Sequence, residues 1–226
     1  MRISPFPLTM IFTIITLASF SQQTPEHILT KASSNIKEPS DAAKLVYNMG
    51  VDYFQEKDYP AAVRQFERAI ALEPDYIDAY NELGLTFYEA ASFDSAYHYL
   101  QISLHKLPTG TTALQNIGLV EEKRDHLPQA LEYYKKIESV APDNPEGYYN
   151  DARVLATMGR LDESVTPVTQ AEKLYAKTKS PIIGECYLLQ LIIYYNLHNK
   201  PLTKKYRDLC KKVNMDVPAE LQTDPN

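Results

Sequence analysis

Apolar residues recur along this chain at helical spacing, in blocks of about a dozen residues broken by short polar turns. Residues 43–55 place Val46, Met49, Gly50 and Tyr53 on one face. After the turn Lys57, Asp58 and Tyr59, a second block places Ala62, Phe66, Ala69 and Ile70 on one face before Pro74 ends it. Spacings of three and four residues predict amphipathic helices, and each pair of blocks predicts a helical hairpin. Ser40 stands where it caps the first helix, with Asp41 in the first turn, where a negative charge suits the helix dipole. Pro60 suits the first turn of the second helix, where no backbone donor is lost.

The hairpins repeat with a period of 34 residues. Gly50, Gly84 and Gly118 fall one period apart, followed by Ala152. Ala62, Ala96 and Ala130 do the same, followed by Ser164, and Pro74, Pro108 and Pro142 are followed by Ala176. Between these markers the second hairpin carries Tyr80, Leu83, Phe87, Leu100 and Ser103, and the third carries Leu114, Ile117, Tyr134 and Ile137. A small residue on each helix of a pair lets two backbones approach, and larger residues fill the seams beside them. A period of this length marks an array in which each unit buries its apolar face only against its neighbours.

With its spaced Leu-Gly, aromatic, Ala, aromatic, Ala and Pro places, the chain resembles a tetratricopeptide-repeat (TPR) protein over residues 42–176. The resemblance implies an all-α fold, a right-handed α-solenoid of antiparallel helix pairs whose first helices line a concave groove. The pattern is worn in places. Glu121 sits where an aromatic is expected and Asp151 where Leu is expected. Pro167 falls inside the eighth helix, removing one hydrogen bond and kinking or shortening it, with a local bend expected over 163–167. Residues 177–180 read as an inserted linker, with Ser180 capping and Pro181 opening a new helix. Residues 182–197 are strongly apolar and 204–213 amphipathic, which predicts a degenerate fifth unit or capping hairpin whose lysines (Lys204, Lys205, Lys211, Lys212) face solvent.

The expected organisation is a signal peptide over 1–21, a flexible leader over 22–40, four repeat units over 41–176, the terminal hairpin over 177–214 and a loosely ordered tail over 215–226. The signal peptide rests on Arg2, an apolar run over 8–20 and small residues at Ser19 and Ser21 before Gln22. This run of thirteen residues, interrupted by Thr9, Thr13, Thr16 and Ser19, falls short of the roughly 20 that a membrane-crossing helix needs. The mature chain is therefore expected to be exported, to the periplasm or the outside, without membrane insertion.

Composition narrows the function. A net charge of -6 and no long basic run argue against nucleic acid as a partner. Seventeen tyrosines with no tryptophan supply rigid amphipathic surface instead. The two cysteines, Cys186 and Cys210, lie in the terminal hairpin, where they either pair in an oxidising compartment or serve as small apolar residues. His98 and His105 lack the further ligands a zinc site needs. No nucleophile motif or phosphate-binding loop occurs, so no catalytic, metal or cofactor site is expected.

The resemblance assigns the groove lining to fixed places on each first helix. From the first unit come Lys44, Tyr47, Asn48, Val51 and Phe54, and from the second Asn81, Leu85 and Tyr88, with Asp78, Glu82 and Glu89 beside them. The third gives Gln115, Asn116 and Leu119, and the fourth Tyr149, Asn150 and Arg153. Asn side chains suit the backbone of an extended peptide, and aromatic faces add contact at low entropic cost. A clamp for acidic chain ends is disfavoured, because Asp78, Glu82 and Glu89 would repel them. The expected function is a scaffold that docks a neutral to basic protein or peptide segment. The alternative is a rigid adaptor in a cell-envelope complex, binding through its convex face or terminal hairpin.

Overall fold

A computed structural model describes residues 38–225, so the expected signal peptide and all but the end of the leader lie outside the described residues. Every regular element among the described residues is helical. The helices fall into two compact units, 38–140 and 141–225. The first holds α1 (Asp41–Gln55), α2 (Tyr59–Leu72), α3 (Ile77–Glu89), α4 (Phe93–Lys106), α5 (Thr111–Lys123) and α6 (Leu127–Val140). The second holds α7 (Pro145–Thr157), α8 (Leu161–Thr178), α9 (Ile183–Asn196), α10 (Lys200–Lys212) and a 3-10 turn over Ala219–Leu221. Consecutive helices pack as antiparallel pairs, α1 with α2, α3 with α4, α5 with α6, α7 with α8 and α9 with α10. The fold is all-α, of the helix-pair solenoid class.

Each pair is closed by the same turn. Lys57, Ala91, Asp125 and Gly159, one period apart, adopt left-handed backbone with φ between 53° and 76°, as does His198 in the last pair. The residue after each donates its N–H back to the helix just ended: Asp58 to the carbonyl of Tyr53, Ser92 to Phe87, His126 to Glu121, Arg160 to Leu155 and Asn199 to Tyr194, all at 2.8–3.0 Å. This bond satisfies a carbonyl that the helix end leaves without a partner. At the other end, Ser40 caps α1, its Oγ accepting from the Ala43 N–H at 3.3 Å. Asp58 caps α2 in the same way, at 3.0 Å from the Ala61 N–H.

Three of the periodic glycines have a measurable reason. A Cβ on Gly50 would stand 2.7 Å from the Phe66 ring, one on Gly84 2.5 Å from Leu100 and one on Gly118 2.5 Å from the Tyr134 ring. In each case the partner lies 16 residues on and is fully buried. In the fourth pair both places change together. Ala152 replaces glycine, and Val168, shorter than Phe, Leu or Tyr, stands 16 residues later; both are fully buried. The side chain gained on one helix is lost from the other, which keeps the helices close.

The second unit departs from three sequence expectations. Pro167 neither shortens nor interrupts α8, which runs on to Thr178. Beyond the lost hydrogen bond, Val168, Ala171, Leu174 and Tyr175 are all buried, and that burial holds the second half of the helix. The first half of the linker expected at 177–180 belongs to α8, which is capped by Lys179 in left-handed backbone, and Pro181 lies in the following turn rather than in α9. The tail expected to be loose is docked. Val217 and Leu221 join the apolar cluster of this unit. The buried Arg207 donates to the carbonyls of Leu221 at 2.7 Å and Thr223 at 2.5 Å and to Asp224 at 3.0 Å. Of the two alternatives open for the cysteines, the structure has the second: Cys186 and Cys210 are free, buried thiols in that cluster. Burial pushes both up, Cys210 to about 12, which withholds the thiolate that disulfide formation needs.

Candidate functional site

In the first unit the first helices of successive pairs touch one another, α1 against α3 and α3 against α5, more closely than the second helices do. They form one wall, and the sequence-assigned lining residues of this unit divide on it into two groups. Lys44, Val51, Phe54, Leu85, Tyr88, Gln115, Asn116 and Leu119 are half-buried and Asn48 is exposed, so all of these keep accessible surface. Tyr47 and Asn81 do not. The Tyr47 ring packs 5.6 Å from that of Phe66 and 5.0 Å from that of Tyr76, and only 8% of the residue is exposed. Asn81 is buried, its Oδ1 accepting from the Ser103 hydroxyl of α4 at 2.6 Å. Its amide stitches α3 to α4 instead of meeting a ligand.

Two aromatic pairs recur one period apart at the ends of the lining helices. Phe54 lies 5.9 Å from Tyr59 and Tyr88 lies 5.9 Å from Phe93, with tilts of 54° and 60°. Each ring is half-buried, fixed on one side and open on the other. One face of α3 carries three carboxylates at spacings of four and seven residues, Asp78 in its first turn, Glu82 and, at its end, Glu89. Burial, reinforced by the nearby charge of Asp78, pushes Glu82 up to about 7. Burial also raises Glu89, against the pull of Lys123 and Lys57. A carboxylate held above its usual range gains most from a cation brought beside it, because the cation offsets the cost of charging it.

The fourth set of lining residues belongs to the second unit and is enclosed there. Tyr149 is 4% exposed and packs edge-on to Tyr175 at 6.5 Å. Asn150 accepts from Arg153 at 3.1 Å, and both are buried. Arg153 sits in the field of Glu146 and Glu185. Tyr175 donates its hydroxyl to Glu146 at 2.6 Å. Tyr149, Asn150 and Arg153 are thus closed in within this unit, the Tyr149 hydroxyl buried without a hydrogen-bond partner among the described residues, and they leave the set of groove residues. Burial of a polar helix face is not visible in sequence. The one signal was the run of polar residues at places where apolar ones would also have fitted the helical spacing.

The worn place at Glu121 is also accounted for. Glu121 is buried and is held by His126 at 2.7 Å and by Arg124 at 3.4 Å. Arg124 also binds Asp94 at the start of α4 and covers the Tyr97 ring at 4.9 Å. The carboxylate thus anchors a cation that joins the α5–α6 turn to α4, a structural role. Among the described residues no group of His, Cys, Asp and Glu is arranged to hold a metal ion. None of their helices is long and apolar enough to cross a membrane.

Comparison with known proteins agrees with this geometry. Residues 46–90 match the family model for the TPR repeat. The chain is 27% identical over 149 residues to the uncharacterised protein ycf37 of Guillardia theta, covering 63% of this chain and 84% of that protein. It is 26% identical over 107 residues to the tetratricopeptide repeat domain-containing protein PYG7 of Arabidopsis thaliana chloroplasts, covering 46% of this chain and 36% of that one. Among solved structures, MamA of Desulfovibrio magneticus RS-1 superposes with a TM-score of 0.65 at 15% identity, over 78% of this chain and 97% of its own. The thermophilic TPR protein TTC0263 of Thermus thermophilus gives 0.58 at 19% identity, over 75% and 90%. Residues 46–90 therefore match a TPR repeat, and the helical fold built around them is similar to that of a TPR protein of known structure.

Proposed function

We propose that this protein is an exported, non-catalytic scaffold that docks a polypeptide segment bearing Lys or Arg along the wall made by α1, α3 and α5. The observation that carries the reading is the row of Asp78, Glu82 and Glu89 along one face of α3, a helix that lies beside α1 and α5 and that, like α1, ends in a half-buried aromatic pair. In the bound state Asn48 and Asn116 hydrogen-bond the extended backbone, the Phe54 and Tyr88 rings take flat contacts, and the carboxylates take the cations. Export follows from the apolar N-terminal run, and sequencing the N-terminus of the protein recovered from fractionated host cells tests it, with Gln22 expected first.

Docking is tested by titrating fluorescent extended peptides, one rich in Lys and Arg and one of the same length rich in Asp and Glu. The basic peptide is expected to bind and the acidic one not. Asn48→Ala with Asn116→Ala should weaken the basic peptide at least tenfold while leaving the circular dichroism spectrum unchanged. Equal binding by that double variant would remove the wall from consideration. The adaptor reading would then gain, and α10 supports it independently, because Lys204, Lys205, Lys211 and Lys212 are all exposed on its outer side.

A further inference from the structure

The acidic row on α3 has a counterpart of opposite sign on α10. Asp78, Glu82 and Glu89 stand four and then seven residues apart, and Lys200, Lys204 and Lys211 repeat those two spacings in the same order. By helix geometry each set lies within about 40° of arc, its charges about 6 Å and then about 10 Å apart along the axis. All three lysines are exposed, and none takes part in an ion pair among the described residues. Lys205 and Lys212 flank them on the exposed side, and Asp208 is the one carboxylate of α10. On α3 the three carboxylates are half-buried and keep accessible surface.

We propose that α10 of one copy of this chain docks along α3 of a second copy, parallel to it, with Lys200, Lys204 and Lys211 meeting Asp78, Glu82 and Glu89. The pairing rests on the reading of this wall as a surface for cations, and it makes the partner a second copy. The direction follows from the order of the spacings. Parallel helices bring all three pairs into register, whereas antiparallel ones bring at most two. Spacings of four and seven also follow the seam along which two parallel helices stay in contact. Leu85, half-buried on the same face between Glu82 and Glu89, receives the aliphatic stems of the lysines while their ammonium groups reach the carboxylates.

The three pairs differ in weight. Lys57 and Lys123 already act on Glu89, so the end at Asp78 and Glu82 holds the incoming helix more strongly. Ion pairs near water are weak one by one, and a contact built from them is weak and sensitive to salt. The two faces that meet are different, so the contact is heterologous. A pair of copies keeps one unused lysine row and one unused acidic row, and assembly continues beyond two.

Sedimentation velocity of the full chain is the test. At 20 mM NaCl the unsubstituted chain should form species larger than a dimer as its concentration rises, and at 300 mM NaCl it should need at least tenfold more protein to do so. Lys200→Glu with Lys204→Glu and Lys211→Glu should raise the concentration needed at 20 mM NaCl at least tenfold. Asp78→Lys with Glu89→Lys, which leaves Glu82 in place, should do the same. An equimolar mixture of the two variants, each supplying the face that the other lacks, should assemble at the concentrations of the unsubstituted chain. The α10 variant changes exposed side chains alone, so it decides the matter even where the α3 variant is unstable. An unsubstituted chain that stays monomeric, an α10 variant that assembles as well as it does, or a mixture of folded variants that stays apart would overturn the proposal. Capture by vesicles of anionic phospholipid through these lysines, without assembly in solution, would give α10 to a membrane surface and overturn it too. A chain that binds the Lys- and Arg-rich peptide yet stays monomeric would sink the pairing of copies alone, whereas loss of both would sink the reading of the wall beneath it.

Discussion

At the scale of single residues, the contacts of Gly84 and Glu82 set two measurable expectations. A methyl group on Gly84 meets Leu100 at 2.5 Å with the Ala96 carbonyl close behind, so Gly84→Ala should destabilise the fold by about 1–3 kcal/mol. Shortening the partner, as Val168 does opposite Ala152, is expected to restore part of that loss. A urea midpoint for Gly84→Ala with Leu100→Val above that of Gly84→Ala alone is the check, and additive losses would show that the two sites do not share the space. Glu82 titrates near 7 in the folded chain against 4.5 for its ordinary value. Its folded pKa is raised, so the protonated form stabilises the fold, fully so below about 4.5. Stability is then lost as pH rises towards 7, by about 2–3 kcal/mol. Comparing urea midpoints at pH 5 and pH 8 should show the fall, and Glu82→Gln should flatten that part of the profile. The places of both residues were legible in the sequence, Gly84 by its period and Glu82 by its place on the wall. The shifted titration was not, because it depends on how deeply the neighbouring helices enclose the carboxyl.

At the scale of helices and turns, the sequence disclosed the hairpins because each carries its own local signals: a cap, a proline in the first turn, a small residue at the crossing. It was least legible where tertiary contacts override such signals. Pro167 reads as a kink or an early end, yet with the residues beyond it buried α8 runs on to Thr178. The final residues read as loose because Val217 and Leu221 stand in a largely polar stretch, and only the fold reveals that Arg207 lies within reach of acceptors on Leu221, Thr223 and Asp224. Arg207→Ala should therefore release this tail and destabilise the unit by about 2–4 kcal/mol, since it strips the partner from the buried Leu221 carbonyl and two further bonds from the tail. Hydrogen exchange over 217–224 is the appropriate readout; exchange there that stays slow in the variant would assign the docking to the apolar contacts alone. The turns offer a contrary, stabilising change. Ala91 holds φ 56°, a conformation glycine adopts at no steric cost. Ala91→Gly should raise the melting temperature by a degree or more, and a lower value would show that chain entropy outweighs the relief.

At the scale of the whole molecule, charge is distributed unevenly. Residues 38–140 carry 17 acidic and nine basic side chains, whereas residues 141–225 carry eleven of each. The net charge of -6 hides a strongly negative first unit and a neutral second one. A cationic partner should therefore associate with the first unit at a rate that falls steeply with salt. Stopped-flow mixing with the basic peptide at 20 mM and 300 mM NaCl is expected to show the association rate dropping at least fivefold, with a much smaller change in dissociation. A rate indifferent to salt would mean that the carboxylates do not guide the encounter. The sequence placed the acidic residues correctly but extended the binding wall too far. It counted Tyr149, Asn150 and Arg153 by position alone, and position within a repeat does not reveal whether a polar face is open or closed over.

The exchange of bulk between Ala152 and Val168 has a consequence for how such a chain can diverge. A helix from one hairpin is sized for its own mate and for no other. Gene rearrangements that cut between hairpins transplant matched mates, whereas those that cut at the bend inside a hairpin would set Ala152 against a leucine or tyrosine. Duplication and loss of units should therefore be tolerated in only one of the two possible frames.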